Sequence, residues 1–132
     1  MVQNRLINRK KIINKLIHSP LWNQQFSFLE ITKNTKPSPF GLPMLINKKY
    51  LPKKEKFFNF LKKKGIETRI IMGGNFVNQQ SVKIYNLNSK NDNFPKAQEI
   101  EDRGFYIGIH PKSISNEILK LLEENLLKID KL

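Results

Sequence analysis

The apolar residues of this chain change their spacing several times along its length, and that pattern limits the folds open to it. In residues 4–17, Leu6, Ile13, Leu16 and Ile17 form the stripe of an amphipathic helix, with Arg9, Lys10, Lys11 and Lys15 opposite. His18-Ser19-Pro20 ends it, because the residue before a proline avoids the helical region. Phe26 to Ile31 alternates as a strand does. A loop from Thr32 to Pro39 leads to a second apolar run, Phe40 to Ile46, where Pro43 marks an edge or a bulge. Pro52 then opens a helix whose Phe57, Phe58 and Leu61 share a face, with Phe60 beside it. Gly65 is placed to cap that helix, and Lys62, Lys63 and Lys64 sit where its dipole is negative.

Ile66 to Met72 reads as a strand that runs straight into Gly73-Gly74-Asn75. A short helix from Phe76 to Lys83, a polar loop from Asn86 to Asn93 and a short acidic helix from Lys96 to Asp102, stopped by Gly104, follow. Phe105 to Ile109 is a strand ending at His110-Pro111. The last helix has Ser115 as its cap, Glu117 in its first turn, and Ile118, Leu121, Leu122, Leu126 and Ile129 along one face. Strands and helices do not alternate strictly. The expected class is therefore α+β, a small and mostly antiparallel sheet covered by helices.

At 132 residues, 39% of them hydrophobic, the chain is long and apolar enough for one domain with its own core. It has no cysteine, which excludes a disulfide scaffold, a cysteine zinc site and a cysteine nucleophile. His18 and His110 are too few for a histidine-rich metal site. No apolar run approaches the roughly 20 residues that span a bilayer. Met1 to Arg5 leads into a polar stretch and not a secretory signal, so a cytoplasmic protein without a membrane partner is expected.

The net charge of +13 lies entirely in the first half: residues 1–65 hold 15 Lys/Arg against two acids, residues 66–132 nine against nine. A basic nucleic-acid-binding module is one reading of that asymmetry. Yet these cations are not interleaved with base-stacking aromatics, and Lys, Asn and Ile abound together, as an AT-rich coding sequence would give. Nucleic acid is thus not the expected partner.

Two stretches could carry chemistry. The first delivers Arg69 near the centre of a strand and breaks at Gly73 and Gly74, with Asn75 and Gln79 following. Arginine offers a rigid fork for phosphate or carboxylate, and adjacent glycines allow a sharp turn or a close ligand. The same residues would suit a surface turn with Arg69 paired to Glu67 or Glu99. The second stretch holds His110 between a strand and a proline, as a hydrogen-bonding or acid–base group or as a merely structural one. No nucleophile-and-base constellation, Walker sequence or dinucleotide fingerprint can be assembled.

At these same stretches, FFNFLKKKGIETRIIMGGNFVNQQ (57–80) and FPKAQEIEDRGFYIGIHPKSISNEI (94–118), the chain resembles the C-terminal part of the DegT/DnrJ/StrS sugar aminotransferase family. The run SPFGLPMLI ahead of them resembles the opening strand of the small domain in the branch acting on nucleotide-linked keto-deoxysugars. The resemblance implies a small C-terminal domain of a fold type I pyridoxal-phosphate enzyme, with residues 1–20 as a connector helix and residues 21–132 as the small domain. It implies transamination or dehydration of a nucleotide sugar for surface polysaccharide such as lipopolysaccharide. The cofactor and its lysine would belong to a large domain or second subunit, so no cofactor or catalytic residue is expected on this chain and it should be inactive alone. Arg69, Gly74, Asn75, Gln79 and His110 match positions that would touch substrate. Cut loose from a large domain, such a chain is expected to expose Trp22, Phe26 and Phe28.

Overall fold

Two amphipathic helices from opposite ends of the chain meet beside a four-stranded sheet. The computed structural model describes residues 2–28, 32–35, 40–71, 73–87 and 93–132. In order the elements are α1 (Val2–Ile17), α2 (Trp22–Gln25), β1 (Phe26–Phe28), β2 (Gly41–Ile46), α3 (Lys54–Lys63), β3 (Thr68–Ile70), α4 (Gln80–Ile84), α5 (Pro95–Arg103), β4 (Gly104–Gly108) and α6 (Asn116–Leu126). Short 3₁₀ turns fill Lys48–Lys53, Phe76–Asn78 and Ile129–Lys131. All strand pairs are antiparallel, in the order β1-β2-β4-β3. The class is α+β, as the spacing pattern predicts.

The pleat sorts the side chains into two faces. Leu42 is opposite Ile107 and Met44 opposite Phe105, and all four are buried on one face with Ile46. Against that face α3 lays Phe57 and Leu61, with the Phe57 ring 6.3 Å from Phe105 and 5.7 Å from Phe26. Ile12 and Leu16 from α1, Leu126 from α6 and Ile129 beyond it complete the same core. The other face carries Gly41, Pro43 and Leu45 on β2, Tyr106 and Gly108 on β4, and Arg69 on β3.

Gly65 ends α3 as expected. Its φ of +75° is the left-handed conformation, Gly65 N–H donates to Lys62 O at 3.0 Å and Ile66 N–H to Leu61 O at 2.9 Å. This is the paired-bond Schellman cap, and it folds the buried Ile66 onto the buried Leu61. Ser115 caps α6 by accepting from Ile118 N–H.

Five expectations need correction. On α1 the buried stripe is Asn8, Ile12 and Leu16, whereas Ile17, expected on it, is 43% exposed. Trp22 and Phe26 are not exposed: both are buried and Phe28 is half-buried, with the indole stacked 5.1 Å and 4.6 Å from the two phenyl rings. They share the core with Ile12, Leu16 and Leu126, so the chain's own terminal helices supply the cover. Pro43 lies in an interior strand, not at an edge. The Ile109 N–H bond to Phe40 O sets the parity of the ladder, so Pro43 points its missing N–H away from β4. It also falls one residue past the last β1 pair, Phe28 with Met44, so no described bond is lost. On α6, Ile118 and Leu121 are 50% and 43% exposed, because they face an open groove beside β4. Finally, β3 is only three residues long, where a strand over Ile66 to Met72 was expected. Of the expected strand Phe26 to Ile31, residues 29–31 lie outside the described residues, as do Met72, 36–39 and 88–92 of the expected strand and loops.

Candidate functional site

The turn after β3 is fastened to α5. Gly73 and Gly74 adopt φ of +89° and +49°, and a Cβ on Gly74 would meet the Glu101 side chain at 3.1 Å. That close approach lets Asn75 N–H donate to Glu101 Oε2 at 2.6 Å. The Asn75 amide donates to Gln98 Oε1 at 3.1 Å, and the Asn78 amide to Gln98 Oε1 at 2.7 Å and Glu101 Oε2 at 3.1 Å. Gln79 Nε2 donates back to Gly73 O at 3.2 Å. The amides that sequence spacing offers to a ligand are thus engaged by the fold, and Asn75 is buried. Beside the turn is an apolar hollow of about 350 Å³, lined by Gly74, Asn75, Phe76, Val82, Leu87 and Phe94 among others.

Arg69 stands on the other side of β3's end, opposite Tyr106. Its fork donates twice to Glu67 Oε1, from Nε at 3.1 Å and Nη2 at 2.8 Å. Of the two acids within reach of the sequence reading, Glu67 is the partner, and Glu99 pairs with Arg103 instead. The Glu67 carboxylate, then Tyr106, hold the Arg69 pKa above its ordinary value, so the group is a cation throughout the accessible pH range. Both members of the pair are mostly in solvent, where such a bridge is worth little and an incoming anion can replace it.

Arg69 and His110 line one groove of about 500 Å³ between the outer end of β4 and α6. Phe40, Glu67, Tyr106 and Gly108 line its sheet side, and Ile114, Ile118 and Leu121 its apolar side. His110 Nδ1 accepts from Lys112 N–H at 3.1 Å, which places the ring proton of the neutral form on Nε2. The His110 loop is tied to α1 by Asn8. This buried amide donates to His110 O and Lys112 O, both at 2.7 Å, and accepts from Ile114 N–H at 3.2 Å. Sequence reasoning missed Asn8. The signal was there: it lies four residues before Ile12 and eight before Leu16, on the buried stripe of α1.

The five expected site residues therefore do not share one concavity. Arg69 and His110 meet in the groove, Gly74 and Asn75 border the second hollow, and Gln79 is exposed beside it. The basic first half also lacks a common face. Lys53, Lys54 and Lys56 donate to the carbonyls of Asp130, Asp102 and Leu132, and the other described cations of this half are divided among α1, the loop at Lys33, the 3₁₀ turn at Lys48 and Lys49, and the end of α3.

A pyridoxal-phosphate site requires a lysine for the cofactor carbonyl and an acid or arginine at the ring nitrogen. None of the described lysines is buried, and none lines the groove. Lys15, in a shallow cleft between α1 and α6, is bridged to Glu123 at 3.0 Å. The described residues therefore do not fit this cofactor.

The family model of the DegT/DnrJ/EryC1/StrS aminotransferase family matches residues 3–124. The chain belongs to that family. No curated protein is similar enough in sequence to count as a match. Among solved structures, the same fold recurs in E. coli GDP-4-keto-6-deoxy-D-mannose-3-dehydratase with bound hydrated PLP, at 23% identity and a TM-score of 0.76 over 95% of this chain and 30% of that one. A variant of the dehydratase ColD with bound GDP-perosamine matches at 23% identity and a TM-score of 0.76, over 95% of this chain and 31% of that one. Helicobacter pylori PseC, an aminotransferase involved in the biosynthesis of pseudoaminic acid, matches at 17% and 0.75, over 98% and 33%. The chain thus spans about a third of the length of each of these structures.

Proposed function

We propose that this chain is the C-terminal lobe of a pyridoxal-phosphate-dependent enzyme acting on a nucleotide-linked keto-deoxysugar. The reaction is amination or dehydration, in the cytoplasm, for surface polysaccharide such as lipopolysaccharide. On this reading residues 1–20 form the connector from a large domain and residues 21–132 the small domain. The lobe works docked on a cofactor-bearing large domain, in one polypeptide or as a second subunit, and is inactive alone. The observation that carries the reading is a family match over residues 3–124 on a fold in which no described lysine is buried. The names of the relatives, a GDP-ketodeoxysugar dehydratase and a sugar-pathway aminotransferase, support the substrate class.

The cofactor would supply the electron sink for the sugar chemistry. This chain would supply contacts. Arg69 would take an anionic group by exchanging its exposed bond to Glu67, and His110 would offer Nε2–H to a sugar or phosphate oxygen. Gly74, Asn75 and Gln79 would shape the neighbouring rim, held by Glu101 and Gln98. The test is co-expression with a large-domain polypeptide of the family encoded beside it. The expected result is co-purification as one species, with cofactor trapped on the large domain by borohydride and none on the 132-residue chain. Absence of both association and cofactor absorbance in the mixture overturns the proposal.

A further inference from the structure

The sheet ends at β3 in an open edge. The ladder parity that turns Pro43 away from β4 carries across to β3. Phe105, Ile107 and Ile109 direct their backbone groups to β2, so Tyr106 directs its own to Arg69. Thr68 and Ile70 therefore aim their N–H and C=O groups outward, and nothing among the described residues pairs with them. A trough of about 570 Å³ runs between this edge and α3, lined by Phe58, Asn59, Lys62 and Thr68 among others. Thr68 and Ile70 share the sheet face of Ile107 and Phe105, on the α3 side, yet Ile70 is 64% exposed. Phe58, 5.2 Å from the Phe105 ring, is only half-buried, with the Lys54 ammonium 5.7 Å from its centre. Unpaired backbone, uncovered apolar surface and cations thus meet along one line.

We infer that the β3 edge receives an extended segment of a partner protein as a fifth strand, with an acidic residue between two apolar ones. The segment runs antiparallel to β3, as every pair in this sheet does. In strand addition the backbone gives affinity and alternate side chains give specificity. The middle residue comes opposite Arg69 at a non-hydrogen-bonded pair, where side chains stand closest. A carboxylate there takes the guanidinium fork in exchange for its exposed bond to Glu67. The flanking residues face α3. One covers Ile70, and the other lies over Thr68 against Phe58 and the stem of Lys62. A second copy of this chain fits poorly. Full overlap of β3 with itself sets Arg69 opposite Arg69, a like-charge pair. The shifted register that sets Arg69 opposite Glu67 needs the Ile66 N–H, which already donates to Leu61 O at 2.9 Å. The net charge of +13 likewise opposes a second copy and favours an acidic partner.

The test is an amide-resolved NMR titration of the 132-residue chain with the capped peptide Thr-Ser-Val-Glu-Val-Ser-Thr. At millimolar concentration the peptide is expected to shift the Thr68 and Ile70 amides and slow their exchange with solvent. Replacing its glutamate by lysine should weaken binding roughly tenfold. N-methylation of either valine removes an N–H that reaches β3 and should abolish binding. N-methylation of the glutamate, whose N–H points away from β3, should leave binding intact. Ile70→Pro deletes an outward N–H and no bond to β4, so it should lose the peptide; if that variant does not fold, the N-methyl series decides. The inference is overturned if the lysine peptide binds as tightly as the parent peptide, or if N-methylation at valine and at glutamate acts alike. It is also overturned if Thr68 and Ile70 are already protected in the dilute free chain, or if millimolar peptide shifts nothing. Shifts of those amides with the chain's own concentration would make a second copy the occupant and overturn it too.

Discussion

Replacing Asn8 with Ala tests whether the first helix is part of the fold or only a lead into it. The amide is 1% exposed and makes three bonds to the loop after β4, at 2.7, 2.7 and 3.2 Å. Two of its partners, the carbonyls of His110 and Lys112, belong to exposed residues and can be rehydrated. The third, Ile114 N–H, belongs to a buried residue and would be left unpaired. An unsatisfied buried donor costs about 1–3 kcal/mol and each bond to a carbonyl that water can reclaim contributes about 0.5 kcal/mol, so N8A should lose about 2–4 kcal/mol. For a chain of this size that is roughly 6–15 °C in thermal midpoint. Urea unfolding followed by the fluorescence of Trp22, the only tryptophan, measures it. The local signature is faster amide exchange at Ile114 than at Phe105 in β4. A loss below about 0.5 kcal/mol, the range of an ordinary surface change, would refute the reasoning. So would exchange that accelerates evenly across the sheet.

Glu101→Ala should release the turn from α5; the charge-assisted bond to Asn75 N–H gives about 1.5–3 kcal/mol, and the check is rapid exchange confined to Asn75 and its neighbours. Gly104→Ala would push a Cβ to 2.3 Å from Ile100 O, a backbone atom that cannot swing aside. Overpacking of this kind costs about 1–3 kcal/mol, so a midpoint equal to the parent's would contradict the geometry. Gly65→Ala at φ +75° should cost about 1 kcal/mol in chemical denaturation. Glu117 has its pKa lowered, chiefly by the Ser115 hydroxyl. Its contribution is therefore present above the unfolded carboxylate value and lost as pH falls through the depressed one. Ser115→Ala should move the Glu117 titration upward in NMR, and an unmoved curve would count against the bond.

What the sequence made legible was local. The α6 cap at Ser115 and the glycine end of α3 follow from spacing over a few residues, and they stand where that spacing puts them. What escaped was long-range. Trp22 looked exposed because its cover comes from residues such as Leu126, about a hundred positions away. Pro43 looked like an edge because no local signal tells which side of a strand its missing N–H faces. The candidate site shows the same divide. Arg69 beside Tyr106 depends on strand register, and the commitment of Asn75 to Gln98 and Glu101 depends on where α5 docks. Both are set by tertiary contacts that one-dimensional patterns do not contain.

The meeting of α1 with α6 has a consequence for biosynthesis. Lys15 reaches Glu123, Gln25 donates to Leu127 O, and Leu126 and Ile129 are sealed inside beside Ile12 and Leu16. Until residue 129 has left the ribosome, the amino-terminal half must wait with apolar surface bare, because core side chains that cover it are made more than a hundred residues later. Closure of this core therefore comes late in synthesis, and chaperones that guard unfinished polypeptides have their longest opportunity at Trp22 and Phe26.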